Sequence, residues 1–288
     1  MKEFSYKSKP KIIKGDEQIL DFVENRVSEE REFYEEYYQT KTVESLDFND
    51  KLYLFPEHKL ILDVLVSVQN ARVLLLGNGL SAKEVIFCDQ NNVVFYSDYT
   101  VTACLQAQKY YSNKNNIVFG AIDALDMPFE DESIDFIYAY GVVHHLEDLN
   151  GFFAECNRIL TFGGSTCFFD DAYSKPWVLM KNKFFRNIRD KSHKKNGISP
   201  EDVRFSNTGG FDELELKKIA AKHNLKYSGK RTGFFHYIFV RLIEKLISKR
   251  MLKTTFVKLV LKFFIIADKL TLRLFPKWGI RLVWQVKK

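Results

Sequence analysis

The spacing of apolar and polar positions changes character along the chain. Residues 16–39 (DEQILDFVENRVSEEREFYEEYYQ) place Ile19, Phe22, Val23, Val27, Phe33, Tyr34, Tyr37 and Tyr38 near helical spacing, which predicts an acidic, aromatic helix. Residues 56–68 keep that period, with Pro56 opening the helix and Leu60, Ile61, Val64 and Leu65 on its buried face. From residue 71 the apolar residues come instead in short unbroken runs: 71–76 (ARVLLL), 92–96 (NVVFY), 116–120 (NIVFG), 134–139 (IDFIYA) and 164–169 (GSTCFF). Helix-length segments at 81–89, 100–111 and 149–160 separate most of them. Strands buried on both faces and alternating with helices predict an α/β fold with a parallel sheet covered on each side.

Beyond residue 171 the helical period returns. Helices are expected at 176–188 and 211–224, with a polar loop over 191–207 between them and a strand at 225–233 after them. Asp212 and Glu213 in the first turn of the second helix and Lys222 in its last match the helix dipole. Two basic helices follow at 236–250 and 254–275, Pro276 stops the second, and 279–286 (GIRLVWQV) alternates as a final strand. In the second basic helix Lys258, Lys262, Lys269 and Arg273 fall within about 60° on a wheel of about 100° per residue. Val260, Phe263, Phe264, Ile266 and Leu270 lie away from them, and Arg241, Lys245 and Lys249 repeat every fourth residue in the helix before.

Charge sharpens this picture. The chain has 288 residues and net charge +6, yet residues 230–288 hold 15 Lys and Arg against two acids, Glu244 and Asp268, which leaves the remainder acidic. Such a split predicts an anionic partner for the tail, and basic amphipathic helices suit a lipid surface. The other reading of the tail is a lid with its apolar face on the core and its lysines in water. Nucleic acid ranks low because no recognised nucleic-acid module accompanies the charge. Cys88, Cys104, Cys156 and Cys167 form no CxxC pair, so reduced thiols in a cytoplasmic protein are expected, with no metal site. No run is long and apolar enough to span a bilayer, and the N-terminus reads as neither a signal peptide nor an anchor.

The sharpest chemical signal is Leu74-Leu75-Leu76-Gly77-Asn78-Gly79-Leu80-Ser81, a buried strand running through Gly-x-Gly into a helix. Glycines there let the backbone approach a ligand, and the helix start offers free N–H groups; a tight strand-to-helix turn would use the same residues. Asp98 closes the next strand about 20 residues on, a spacing that suits a carboxylate accepting from both hydroxyls of a ribose. Asp123 ends the strand after that. Three consecutive strand ends carrying Gly-x-Gly, Asp and Asp would face one crevice of a doubly wound sheet. A dinucleotide enzyme is the natural rival, but a third glycine is absent and Asp123 would have less use there.

The stretches 122–135 (IDALDMPFEDESID), 140–148 (YGVVHHLED) and 158–164 (RILTFGG) resemble class I S-adenosylmethionine-dependent methyltransferases of the small-molecule, quinone-methylase type. The resemblance covers about residues 56–171. It implies a seven-stranded, mostly parallel Rossmann-like sheet with an N-terminal helical cap over 1–55 and a core over 56–235. It further implies a basic helical insertion over 236–278 and a closing strand over 279–288. By position in the motifs, Gly77, Asn78 and Gly79 would line the methionine part of S-adenosylmethionine. Asp98 would take the ribose and Tyr99 would pack on the adenine. Asp123 and the N–H of Ala124 would face the adenine, and Tyr140 would stand beside the sulfonium. His144 and His145 are the candidate bases for a hydroxyl or carbon acceptor, with His236 more remote. Residues 33–38 are expected to serve as a lid or as a helix packed on the sheet. Leu75 stands where the family usually has an acid, and Ser81 where it has a third glycine. The function implied is methyl transfer to a small or lipid-linked acceptor; the alternative is a non-catalytic membrane-surface or interaction module with a decayed crevice.

Overall fold

The short apolar runs become the middle of a sheet because both of their faces are covered. The computed structural model describes residues 3–14, 18–23, 28–41, 55–80, 91–184, 205, 209–246 and 255–288. Strand β3 (Arg72–Leu76) pairs in parallel with β4 (Val93–Asp98) on one side and β6 (Ile134–Tyr140) on the other. Strand β5 (Ile117–Ala121) continues beyond β4, and β7 (Leu160–Asp171) beyond β6, both in parallel. Alternate residues point to opposite faces. Leu74, Leu76, Phe95, Ile137 and Phe168 enter one apolar cluster; Val73, Leu75, Val94, Tyr96 and Phe136 enter the other. Helices α2 (Pro56–Ser67) and α3 (Val101–Tyr110) cover the second face through Ile61, Leu65, Cys104 and Ala107. Helices α4 (Leu149–Ile159) and α6 (Glu213–Lys222) cover the first through Phe152, Phe153, Cys156 and Leu216. These elements fall where the pattern predicts them, and Asp212 caps α6 by accepting from the Leu214 N–H.

Among the described residues the sheet has nine strands rather than the expected seven. The additional pair is a hairpin of β1 (Lys11–Lys14) and β2 (Gln18–Asp21), and β2 joins β5 in parallel through Leu20 and Asp21. The helix expected over 16–39 is therefore divided. Ile19 and Val23 are buried beside the sheet edge, and among the described residues of this stretch the helix is α1 (Glu29–Gln39), with the Ser28 side chain accepting from Arg31 N–H. Helical spacing of a few apolar residues loses to the unpaired backbone groups that the β5 edge offers. Val27, the segment 42–54, the helix expected at 81–89 with Ser81 and Cys88, and the loop expected at 191–207 apart from residue 205 lie outside the described residues.

The final strand, β9 (Arg281–Lys287), enters antiparallel between β7 and β8 (Lys226–Thr232), giving the order β1-β2-β5-β4-β3-β6-β7-β9-β8. Both β7 and β8 oppose β9, so β8 ends on the same rim as the five parallel strands β3–β7. Helix α5 (Lys175–Phe184) leaves that rim after β7. Helices α7 (Phe235–Leu246) and α8 (Thr255–Leu274) leave it after β8. The Asp268 carboxylate of α8 is buried and accepts from the N–H groups of Phe234, Phe235 and His236, tying α8 to the start of α7. Cys104, Cys156 and Cys167 are free and buried. Among the described residues no helix is long and apolar enough to cross a membrane.

Candidate functional site

The chain runs outward from β3 through β4 to β5, then returns to β6 and β7 on the other side. The order reverses at β3, and open α/β sheets place ligand crevices beyond the strand ends at such a point. Gly77 and Gly79 both occupy the left-handed region, at φ +59° and +53°. A Cβ on Gly77 would lie 2.6 Å from Cγ1 of Val142, so the β3 turn rests directly on the loop after β6. Asn78, between the glycines, is buried and donates its N–H to the Ser97 carbonyl at 2.8 Å.

Asp98 holds this turn. Its Oδ2 accepts from the Gly79 N–H at 2.9 Å, and its Oδ1 accepts from the Thr100 N–H and hydroxyl at 2.9 and 2.7 Å. Burial pushes its pKa above the ordinary value, against the pull of these donors. Asp98 lies opposite Ala121 of β5, and Asp123 follows two residues later. Asp123 accepts from Leu125 N–H at 2.7 Å, and Ala124 is buried beside it. The glycine turn, Asp98 and Asp123 thus occupy neighbouring strand tips. Leu75 is fully buried in the apolar cluster, so packing replaces the carboxylate expected at that position.

Tyr140 ends β6. Its ring stacks on Phe169 of β7 at 4.3 Å, and its hydroxyl lies 3.2 Å from Nε2 of His58 on α2. The Arg281 guanidinium covers the same Phe169 ring at 4.6 Å and the Tyr237 ring of α7 at 5.2 Å, and it is ion-paired with Glu57 and Asp171. His144 and His145 form a short 3-10 turn with ring centroids 4.1 Å apart. They face different partners. Nδ1 of His144 meets Oδ1 of the buried Asp170 at 2.6 Å, and its ring stacks on Phe205. Burial raises the Asp170 pKa, and the His144 contact opposes the rise. Nδ1 of His145 lies 2.6 Å from Oε1 of Glu30 on α1. His236 is buried at the start of α7.

Helix α1 crosses the strand tips. Glu35 accepts from the N–H groups of Val101 and Thr102, capping α3 from outside its own sequence. The Arg31 guanidinium lies 5.8 Å from the Tyr99 ring centroid, and Tyr34 meets His145 edge-on. Tyr38 reaches deepest: its hydroxyl would be 2.7 Å from a Cβ on Gly79. Burial, with Asp98 nearby, drives the Tyr38 phenol well above its ordinary pKa. The pattern over 33–38 predicts a lid or a helix packed on the sheet without distinguishing Tyr38 or Glu35 within it, and it marks neither Asp170 nor the Glu57–Arg281 pair. Asp170 sits at the end of the last parallel strand, as Asp98 does at the end of β4, and that position was the available signal.

The residues suit an adenosine-bearing ligand at β3–β5. Two left-handed glycines remove side chains from the turn, a buried carboxylate stands beside it, and the Tyr38 hydroxyl lies against Gly79. Residues 74–168 match the family model for a methyltransferase domain. A segment of 102 residues is 33% identical to sterol 24-C-methyltransferase erg6 of Schizosaccharomyces pombe, covering 33% of this chain and 26% of that protein. The chain thus spans about a quarter of the length of that curated relative. The fold is similar to geranyl diphosphate C-methyltransferase from Streptomyces coelicolor A3(2), solved with geranyl diphosphate and S-adenosyl-L-homocysteine (TM-score 0.57, 10% identity, 91% of this chain and 99% of that one). It is also similar to Haemonchus contortus phosphoethanolamine N-methyltransferase 2, solved with S-adenosyl-L-methionine (TM-score 0.52, 11% identity, 94% and 61%).

Proposed function

We propose that this chain, whose residues 74–168 form a methyltransferase domain of the class I type, moves a methyl group from S-adenosylmethionine to a small-molecule or lipid-linked acceptor. The observation that carries the reading is the glycine turn held by Asp98 at the point where the strand order reverses. Gly77, Asn78 and Gly79 would bound the amino-acid end of the cofactor, Asp98 the ribose, and Tyr99, Asp123 and Ala124 the adenine. Tyr140 would stand toward the reacting end. When bound, the cofactor supplies a methyl group already activated by a sulfonium, so the protein contributes alignment and exclusion of water.

The chain's own residues set the proton path. With Nδ1 of His144 directed at Asp170, Nε2 becomes the accepting nitrogen. Where the acceptor is a hydroxyl or a carbon acid, Nε2 of His144 would take up its proton, and Asp170 would steady the imidazolium that results. His145, paired with Glu30, would couple this turn to α1. Helix α1 would act as a lid that opens for the cofactor and closes to exclude water. The reading places the protein in the cytoplasm, working at a membrane surface when its acceptor is lipid-linked.

Calorimetric titration with S-adenosylhomocysteine tests the proposal. The intact chain should bind, and Asp98→Ala should weaken binding by about 1–3 kcal/mol through the lost buried hydrogen bonds. The alternative, a non-catalytic module with a closed crevice, is favoured by one observation, the Tyr38 hydroxyl over Gly79. Absence of heat at near-millimolar ligand in both the intact chain and Tyr38→Ala would establish that alternative instead.

A further inference from the structure

Helix α8 buries little of itself. Val257, Leu261 and Asp268 face α7 and the core, and Phe264 stacks on Phe239 of α7 at 4.4 Å. A second face is left in solvent. Phe256, Leu259, Phe263, Ile266, Leu270 and Leu274 are 57–75% exposed. On a wheel of about 100° per residue they fit within about 80° of arc, and at about 1.5 Å per residue the row runs for about 27 Å. Phe275 extends it at the C-terminal end. Apolar rows of this size on a soluble domain mark a contact with something else.

The charges beside the row identify the partner. Lys262, Lys269 and Arg273 are exposed, and with Lys258 they occupy the next about 60° of the same helix. The helix carries one acid, Asp268, which is buried and spent on the N–H groups of α7. The outer surface of α8 is thus hydrocarbon bordered by cations, with no exposed anion. A second copy of this chain would bring the same cations to the same row. The combination matches hydrocarbon lying under anionic headgroups.

Placement gives the contact a purpose. Helices α7 and α8 leave the rim at which β3–β7 end, and Tyr237 of α7 shares Arg281 with Phe169, on which Tyr140 stacks. The exposed row therefore belongs to the unit that stands beside the reacting end of the crevice. We infer that α8 is a membrane-docking ridge, which lies in the interface of an anionic bilayer leaflet and sets the acceptor side of the crevice against the lipid. The docking stands on the helix alone; only its link to acceptor supply rests on the methyl-transfer reading.

Co-sedimentation of the full chain tests it, using vesicles of phosphatidylcholine alone and with about 30% phosphatidylserine. Binding to the anionic vesicles is expected, weakening as salt rises. It should fall at least about tenfold in Phe263→Asp/Leu270→Asp and in Lys262→Ala/Lys269→Ala/Arg273→Ala, whose side chains are already in solvent. Calorimetry with S-adenosylhomocysteine should give the same affinity for both variants as for the intact chain, which shows that they are folded. Anionic-vesicle binding without any cofactor binding would uphold the ridge while ending the methyl-transfer reading. An intact chain that stays in the supernatant, variants that bind as it does, or an apolar-row variant that abolishes self-association without vesicle binding by the intact chain would overturn the inference.

Discussion

Asp98 and Asp268 are both buried carboxylates that accept from backbone N–H groups, and burial raises the pKa of each. Their surroundings differ. Asp98 closes a strand whose neighbours end in a glycine turn and a second carboxylate, and helix α1 lies over it. Asp268 sits in a helix that presents hydrocarbon and cations outward, and its donors lie at the start of the preceding helix. The same local chemistry thus holds the glycine turn at the strand tips and places a helix in the tail. A buried, satisfied carboxylate says little about function until the use of its neighbours is known.

Substitutions should separate the two regions by what they change. The largest effect is expected from His144→Ala, which should lower turnover by about 10²–10⁴-fold while S-adenosylhomocysteine affinity holds, as rapid-quench assay and calorimetry would show. Equal loss of affinity would place His144 in binding instead. Asp268→Ala strands three donors at the start of α7, so urea denaturation should reveal a loss of about 3 kcal/mol with cofactor affinity retained. If affinity fell with stability, the tail and the crevice would be one unit and the contrast would fail. Gly79→Ala forces a Cβ into a left-handed turn and against Tyr38, at about 1–2 kcal/mol, and Tyr38→Ala should recover part of the loss in thermal melts.

The smallest and most diagnostic effect is on pH. Asp98 has a raised folded-state pKa, so the stability it contributes is complete below the ordinary aspartate value and is lost as pH rises through the raised one. Affinity for a ribose runs the opposite way, because the acceptor disappears as pH falls through that same raised value. Calorimetry on acidification should show cofactor affinity weakening before an ordinary aspartate would titrate, and Asp98→Asn should flatten the curve. A wild-type profile flat across that range would remove Asp98 from the site.

The strand tips were legible because their information is local. Unbroken apolar runs ending in Gly77, Asp98 and Asp123 specify strand, face and tip from a few consecutive residues. The β1–β2 hairpin was not legible, since Gln18–Asp21 carry apolar residues at helical spacing, while their pairing with β1 and, at Leu20 and Asp21, with β5 is made by backbone groups that side-chain spacing does not announce. Asp170 and Asp268 belong to no motif, and their partners, His144 and the start of α7, are set by packing. The wheel of α8 showed one basic strip but could not say which apolar residues the core would take; the core takes Val257 and Leu261 and leaves Phe263, Ile266 and Leu270 outside.

The placement of β9 has a consequence for how the chain is made. Among the described residues β8 has β9 as its sheet neighbour and no strand on its other edge. A ribosome releases β8 some fifty residues before β9, so β8 must wait with both edges bare while α7 and α8 emerge. Its sequence, KYSGKRT, is polar and lysine-bearing, the kind of strand that resists pairing with strangers during such a delay.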